Sequence, residues 1–165
     1  MPNWTSNEVR FISENKSALK RLKLKLKGKE VIQTFLIGQP PKKIDNVFDF
    51  NNIKPMPKAL RNTVSPTPTD TQEEKNKAMA LKIRYGYSNW YDWCNANWGT
   101  KWNSCEAQSW DEEGAVVYKF DTAWSAPNRI AIIIDKWIKE NIHKDIKVDY
   151  WIANHECELE TEKVL

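Results

Sequence analysis

At 165 residues and 19.4 kDa, the chain is long enough to bury roughly 70% of its extended-chain surface, so neither disulfides nor a structural metal are needed to hold it. Its apolar residues make up 41%, charged residues 28% and aromatic residues 12%, a balance that excludes a wholly disordered chain. The net charge of +3 hides an asymmetry, with 13 Lys/Arg against 6 Asp/Glu in residues 1–70 and 12 against 16 in residues 71–165.

In chain order, Val9-Arg10-Phe11-Ile12 alternates and predicts a short strand. Ser13 or Asn15 can cap a helix that places Leu19, Leu22 and Leu26 on one face and ends near Gly28. Leu22-Lys23-Leu24-Lys25-Leu26-Lys27 also alternates with period two, and Leu24 falls off the helix's apolar face; helix is the preferred reading. Lys29 to Ile37 is expected to continue as a second helical piece. Gln39-Pro40-Pro41 breaks the chain, and Asn46-Val47-Phe48-Asp49-Phe50-Asn51 is expected as a strand. Six of eight prolines fall between residues 40 and 68, which marks this stretch as the expected mobile segment.

Thr71-Gln72-Glu73-Glu74 has capping-box spacing, predicting a helix through Ala80, Leu81 and Ile83 to Gly86. Residues 88–99 carry Trp90, Trp93, Cys94 and Asn97 at helical spacing, with Gly99 where a left-handed C-terminal residue belongs. Glu106–Trp110 and Ala115–Phe120 flank an Asp111-Glu112-Glu113-Gly114 turn and predict a hairpin. Ile130, Ile133, Ile134, Trp137 and Ile138 follow i, i+3, i+4, i+7, i+8 and predict an amphipathic helix after Pro127-Asn128. Ile146–Ile152 alternates as a final strand. The expected architecture is α+β: one antiparallel sheet with helices on one face, in a single domain over 1–165 with a loop and helical insertion at about 54–98.

Three cysteines, Cys94, Cys105 and Cys157, are odd in number and include no C-x-x-C pair. The start, Met1-Pro2-Asn3-Trp4-Thr5-Ser6-Asn7, lacks the basic and long apolar regions of an export signal. Both features read as a reduced, soluble, cytosolic protein. The longest aliphatic run, Ile130–Ile134, is far shorter than the segment needed to cross about 30 Å of hydrocarbon, so no membrane partner is expected.

The positive charge concentrates in Lys16, Lys20, Arg21, Lys23, Lys25, Lys27 and Lys29, with no acid between them. This stripe reads either as a solvated face, whose lysine stems cover apolar surface, or as a polyanion contact that would neutralise phosphates. The acidic end, Glu156, Glu158, Glu160 and Glu162, is a third possible counterpart, within the chain or in a dimer mate.

Six of the nine tryptophans, Trp90, Trp93, Trp98, Trp102, Trp110 and Trp124, lie between residues 90 and 124. Buried, they would form a core with their indole N–H groups bonded to Asn, Asp or backbone. The polar company of Asn3, Asn7, Asn97, Thr100, Lys101, Asp121, Thr122 and Ser125 also suits a binding surface, for stacked bases or for a protein. The candidate binding set is therefore Asn3, Trp4, Asn7, Trp90, Trp93, Asn97, Trp98, Lys101, Trp102, Asp121 and Trp124.

Several of these segments carry a resemblance. The start Met1–Asn7, Phe48-Asp49-Phe50-Asn51-Asn52-Ile53-Lys54-Pro55-Met56-Pro57, Trp90-Tyr91-Asp92-Trp93 through Asn97-Trp98-Gly99-Thr100-Lys101-Trp102, and Phe120-Asp121-Thr122-Ala123-Trp124-Ser125-Ala126-Pro127 resemble the YubB-type family of phages and conjugative plasmids. The likeness spans roughly residues 1–13, 47–57 and 85–152; it leaves out the basic helix and residues 58–80. That family usually has Cys where Thr5 stands. The resemblance implies a ferredoxin-like β-α-β-β-α-β core and a mobile-element origin, and it implies no catalytic residue. The fold is shared with RNA-binding modules, but Val116-Val117-Tyr118-Lys119-Phe120 lacks their aromatic signature.

The chain shows no catalytic constellation. His143 and His155 are the two histidines; His155-x-Cys157 sits in the acidic C-terminal stretch, and Cys94, Cys105, His155 and Cys157 lack zinc-site spacing. With five glycines and neither G-x-G-x-x-G nor G-x-x-x-x-G-K-[ST], no nucleotide cofactor is expected. Asp111-Glu112-Glu113 reads as a solvated turn, and Asp92 and Asp121 as helix-capping or indole-bonding groups. The expectation is a non-enzymatic accessory protein, without cofactor or metal. Its partner would be a host or mobile-element protein, with single-stranded nucleic acid as the alternative.

Overall fold

A computed structural model describes residues 3–32, 42–155 and 161–165. The first strand, β1 (Trp4–Ile12), extends the expected 9–12 segment back through the N-terminal motif. Its inward side chains, Thr5, Asn7, Val9 and Phe11, are buried and alternate with half-buried Trp4, Ser6, Glu8, Arg10 and Ile12. α1 (Lys16–Leu26) follows, capped by Asn15, whose side chain accepts from the Ala18 N–H at 3.0 Å. Ala18, Leu19, Leu22 and Leu26 are buried while Leu24 stays 67% exposed, so the helical period prevails over the two-residue alternation.

The main sheet is built by β4 (Cys105–Glu112), β5 (Ala115–Ala123), β1, β6 (Lys147–His155) and the short β7 (Thr161–Lys163), in the order β4-β5-β1-β6-β7. Each neighbouring pair is antiparallel. With α1 after β1 and α6 (Asn128–Asn141) between β5 and β6, the four long strands and two helices form a ferredoxin-like α+β fold. Ile130, Ala131, Ile134 and Ile138 of α6 and the buried face of α1 lie in one core with Val9, Phe11, Val116, Tyr118, Phe120 and Trp151. The β4–β5 hairpin turns at Glu113-Gly114, with Gly114 at φ +69°. Asp111 and Glu112 therefore belong to β4 and are not part of the turn.

Between α1 and β4 the chain inserts β2 (Gly28–Ile32), β3 (Lys42–Asn46), α2 (Phe50–Ile53), α3 (Lys58–Arg61), α4 (Gln72–Tyr85) and α5 (Trp90–Asn97). The expected insertion at 54–98 covers α3 to α5. Two expectations are corrected in this segment. Residues 28–32 are a strand paired with β3 and not a helix; residues 33–37 lie outside the described residues. α1 ends at Leu26, whose carbonyl accepts from the Asp49 N–H at 2.8 Å and from the Asn52 side chain at 3.1 Å; Gly28 leaves room for Asp49, since a Cβ there would lie 1.9 Å from its Oδ2. Residues 46–51 are not a strand: β3 ends at Asn46 and Asp49 caps α2 by accepting from the Asn51 N–H at 2.8 Å. Of the proline-bearing stretch expected to be mobile, residues 42–68 hold β3, α2 and α3. Thr67 is tied to Asn89, whose amide donates at 2.9 Å.

The Phe48–Met56 motif forms a knot of polar groups around aromatic anchors. Asn46 donates to Ser104 Oγ at 2.9 Å and accepts from the Phe48 N–H at 3.0 Å. Ser104 Oγ also donates to the Phe48 carbonyl. Asn103 donates to Asp49 at 2.7 Å and accepts from the Phe50 N–H at 2.9 Å. Phe48, Phe50 and Ile53 are thereby fixed in the core.

Tyr118 is fully buried, yet its hydroxyl has no hydrogen-bond partner among the described residues; burial, with Asp111 adding to it, pushes its pKa further up. A buried hydroxyl left unpaired costs about 1–3 kcal/mol. Tyr118→Phe keeps the ring contacts, including the edge-on Phe11 ring at 5.9 Å, and removes that cost. It is expected to raise stability by about 1 kcal/mol, read as a higher denaturation midpoint at unchanged slope.

α4 begins at the expected capping box. Thr71 Oγ1 accepts from the Glu74 N–H at 3.2 Å, and Glu74 accepts from the Thr71 N–H at 2.9 Å. The Thr71 N–H, with the Thr71 hydroxyl and the Asp70 N–H behind it, holds the Glu74 carboxyl below the ordinary carboxylate range. The folded state thus favours the charged form, so this contribution is complete above the ordinary Glu pKa and is lost as pH falls through the depressed value. Lowering the pH from about 6 to about 3 is expected to fray the first turn of α4. Amide protection factors at Glu74 and Lys75 would fall in the wild type, while Glu74→Gln would show the frayed level at both pH values.

Candidate functional site

The tryptophans divide into core and rim. Trp93, Trp98 and Trp151 are buried. Trp98 stacks edge-on against Trp93 at 5.4 Å and donates its indole N–H to the Lys54 carbonyl at 2.9 Å. Trp151 donates to Asn7 Oδ1 at 3.3 Å. Trp90 is half-buried and edge-on to Tyr91 at 5.8 Å, and Asn97 donates to the Trp93 carbonyl at 3.0 Å. From the candidate binding set, Trp90, Trp93, Asn97 and Trp98 therefore build α5 and its C-terminal end. Asp92 accepts from the Asn89 side chain at 2.8 Å, as part of the cap of α5.

Asn7 is also internal. It donates to the Thr5 carbonyl and to Thr122 Oγ1, both at 2.9 Å. Thr122 Oγ1 donates to the Ser125 carbonyl at 2.8 Å, Ser125 Oγ to the Gly99 carbonyl at 2.8 Å, and Thr100 Oγ1 to the Ala123 carbonyl at 2.9 Å. This chain joins the N-terminal motif, the 98–102 turn and the 120–127 motif. Gly99, at φ +85°, admits the close pass over the start of α6, because a Cβ there would lie 2.8 Å from the Asn128 nitrogen.

That polar spine holds a rim at one end of the sheet. The Trp4 and Trp102 rings are 6.2 Å apart and tilted by 50°. Lys101 Nζ sits 4.6 Å from the Trp102 ring centre and 5.9 Å from that of Tyr91. Trp4 pairs in register with Ala123, and the next residue, Trp124, is 59% exposed in a left-handed backbone at φ +74°. Its N–H donates to the Asn3 carbonyl at 2.9 Å. A bulky residue in that region costs about 1–3 kcal/mol and persists where its surroundings over-determine it. The hydrogen bonds of the spine do so here. From the candidate set, the structure brings Asn3, Trp4, Lys101, Trp102 and Trp124 together, with Tyr91 added.

Asp121 pairs in register with Ser6, two residues along the strands from the Trp4–Ala123 pair, and lines a depression with Glu106, Gln108 and Lys119. The β4 bulge between Cys105 and Gln108 opens there, with Glu106 at φ +50°. The uncovered sheet face also carries a charged array that sequence reasoning missed. Arg10 binds Glu112 at 3.0 Å and Asp149 at 2.6 Å, and these carboxylates, Asp149 first, raise its pKa further. Tyr150 donates to Glu8 at 2.7 Å; desolvation and then that bond push the phenol up to about 12. Trp110 donates to Glu112 at 3.2 Å. The signal was the outward register of β1, where Glu8 and Arg10 alternate with the buried residues.

The basic stripe runs along α1 into β2. Lys23 reaches Asp111 at 2.9 Å and Lys27 reaches Asp45 at 2.8 Å; Lys29 is in β2. Lys16, Lys20, Arg21 and Lys25 are exposed and have no ion-pair partner among the described residues. Asp111 pairs with Val116, which pairs with Phe11. The Phe11 register is seven residues from Trp4, or about 24 Å along the strand. Lys23 is thus at the far end of the sheet from Trp4, whereas Lys27 reaches Asp45, whose neighbour Asn46 bonds to Ser104, two residues from Trp102. Glu156, Glu158 and Glu160 lie outside the described residues.

Burial pushes the Cys94 thiol up to about 12, which keeps it protonated and a poor nucleophile at neutral pH. Among the described residues, no group of three His, Cys, Asp or Glu side chains is placed to hold a metal ion; Cys157 lies outside them. Among them also, no helix is long and apolar enough to cross a membrane. No family model, curated protein or solved structure matches this chain.

Proposed function

We propose that this chain is an accessory binding protein of a phage or plasmid that modulates host machinery by protein–protein contact. The contact is centred on the rim of Trp4, Tyr91, Lys101, Trp102 and Trp124. The observation that carries this reading is Trp124, exposed at 59% and held at φ +74°. A chain gains no fold stability from keeping a large apolar ring in water on a strained backbone, whereas an interface uses such a ring as an anchor. Trp, Tyr and cationic side chains around one centre are the composition of an interface hot spot. The five residues are smaller than the roughly 800 Å² per partner of a standard interface, so they serve as its centre. This reading assigns the chain no catalytic step.

The test is site-specific photo-crosslinking in host cells, with the reactive residue at position 124 and, as control, at the exposed Ile132 of α6. A discrete protein adduct at 124 and none at 132 supports the reading; equal labelling at both positions overturns it.

A second reading, single-stranded nucleic acid binding along α1, is favoured by the four exposed cations Lys16, Lys20, Arg21 and Lys25, which lack ion-pair partners among the described residues. Four neutralised phosphates would give a log–log salt slope of about −3, or roughly 50-fold weaker binding between 50 and 200 mM salt. Fluorescence anisotropy with labelled single-stranded DNA, single-stranded RNA and duplex DNA measures this. The matched variant reverses only those four residues to Glu, because Lys23 and Lys27 hold Asp111 and Asp45. Absence of binding at low salt leaves the stripe as a solvated face.

A further inference from the structure

The cations of α1 form two separate edges and not one line. Ala18, Leu19, Leu22 and Leu26 bury one side of the helix. Ser17 and Leu24 lie on the side opposite, and Leu24 is 67% exposed. At about 100° per residue, Lys16 and Lys20 line one edge of this outer side and Arg21 and Lys25 the other, the two edges about 140° apart around the axis. All four are exposed and have no ion-pair partner among the described residues. Lys23 continues the first edge, half-buried and held by Asp111 at 2.9 Å. The helix carries no acidic residue of its own; Glu14, ahead of the Asn15 cap, is the nearest in sequence.

We propose that the outer side of α1 enters the major groove of B-form duplex DNA. Lys16 and Lys20 meet the phosphates of one strand, Arg21 and Lys25 those of the other, and Ser17 and Leu24 face the base edges. The inference rests on α1 as a polyanion contact and changes the form of the ligand from single strand to duplex. A single strand follows one line of cations and leaves the other edge unused, whereas the two walls of a duplex groove set phosphate on both sides of a helix at once. Size agrees with this placement. An 11-residue helix is about 16 Å long and roughly 10–12 Å across with its side chains, and the groove is about 12 Å wide and about 8.5 Å deep. The ridge between the edges is uncharged, and its chemistry suits bases: an aliphatic side chain packs on a thymine methyl and a serine hydroxyl bonds to a base edge. Duplex RNA is disfavoured because its A-form major groove is too narrow for side chains to read. A lipid surface is disfavoured because Leu24 is the single apolar side chain on this side, whereas helices that lie in a membrane interface present a broad Trp, Phe and Leu face.

The test is fluorescence anisotropy on the full chain with a labelled DNA duplex of about two helical turns, its separated strands and the matching RNA duplex. The DNA duplex is expected to bind at least about tenfold more tightly than the strands or the RNA. Its log–log salt slope is expected near about −3.6, or roughly 150-fold weaker binding between 50 and 200 mM salt. Lys16→Gln with Lys20→Gln, and separately Arg21→Gln with Lys25→Gln, are each expected to bring the slope to about −1.8. Methyl green, which occupies the major groove, is expected to displace the protein, and netropsin, which occupies the minor groove, is not. The four replaced side chains are exposed, so both variants keep the wild-type melting temperature; if one does not, the dye competition on the wild-type chain decides. Equal binding of strands, RNA duplex and DNA duplex overturns the proposal, as does a slope that responds to one edge alone or displacement by netropsin alone; each of these leaves α1 as a contact for another polyanion. Duplex binding that neither pair alters, or no nucleic-acid binding at 50 mM salt, overturns the proposal and the polyanion reading of α1 together. The rim takes no part in this contact, so Trp124→Gly leaves duplex binding unchanged.

Discussion

Replacing Phe48 by alanine is expected to destabilise the protein by about 4 kcal/mol, near the upper end for a large-to-small core change. Phe48 is fully buried and its ring meets five others: Phe120 at 4.8 Å, Tyr118 at 5.0 Å, Phe50 at 5.9 Å, Trp151 at 6.1 Å and Phe11 at 6.5 Å. These rings come from the insertion, from the central strands β1 and β5, and from β6, so Phe48 locks the inserted segment onto the sheet. Its backbone cannot move to close the void, because its N–H is held by Asn46 and its carbonyl by Ser104. Where a site cannot collapse, the cavity adds to the lost transfer energy. Against a total of about 5–15 kcal/mol, this one change removes a large share of the stability. Urea unfolding with a lower midpoint and unchanged slope is the expected readout; a shift under about 1.5 kcal/mol would mean that the knot relaxes and the packing account is wrong.

The second large effect separates two tryptophans that share one motif-rich stretch. Trp124→Gly is expected to lower affinity for the rim's partner by at least about 2 kcal/mol, roughly thirtyfold, as loss of an interface anchor does. Its effect on stability has the opposite tendency. At φ +74° an L-residue costs about 1–2 kcal/mol that glycine does not, while glycine's freer unfolded chain takes back about 0.5–1 kcal/mol. The melting temperature is therefore expected to stay level or rise slightly. Trp98→Ala should behave in reverse. Trp98 is 2% exposed, packed on Trp93 and Phe50, and bonded to the Lys54 carbonyl, so its loss leaves both a cavity and an unpaired acceptor, about 4 kcal/mol together. Thermal melts of the two variants, alongside the crosslinking yield from a reactive residue placed at position 91 of the same rim, decide the matter. A Trp124→Gly protein that unfolds, or that retains the adduct in full, would remove the rim as the contact.

The two tests also bear on how the motifs are used. Asn7, Thr100, Thr122 and Ser125 looked like a polar binding palette interleaved with tryptophan. They point inward and form the spine that fixes the 98–102 and 122–125 turns. Their contribution to the rim is positional. Of the tryptophan motifs, it is mainly the residues at turn ends, Trp102 and Trp124 with Lys101, that reach the surface.

Local features of the sequence determined a good part of this fold. The Leu19–Leu22–Leu26 spacing, the Ile130–Ile138 face, the Thr71–Glu74 capping box, a cap at Ser13 or Asn15, which falls on Asn15, and the alternation within β1 and β6 each carry their own periodicity or cap chemistry within a few residues; the structure forms each of these elements, with β1 and β6 running beyond the alternating segments. Tertiary structure decided the rest. Phe48 and Phe50 are two apart, as on a strand, but Asp49 turns the backbone into α2 by accepting from the Asn51 N–H and from the side chain of Asn103, 54 residues away. Gly28–Ile32 becomes a strand because β3 pairs with it and Asp49 fills the space beside Gly28. Whether a tryptophan is core or rim is likewise settled by partners far along the chain: Lys54 for Trp98, Asn7 for Trp151, Asn3 for Trp124. Periodicity and capping are short-range and legible in a single chain, whereas burial depends on which distant segment arrives to cover a side chain.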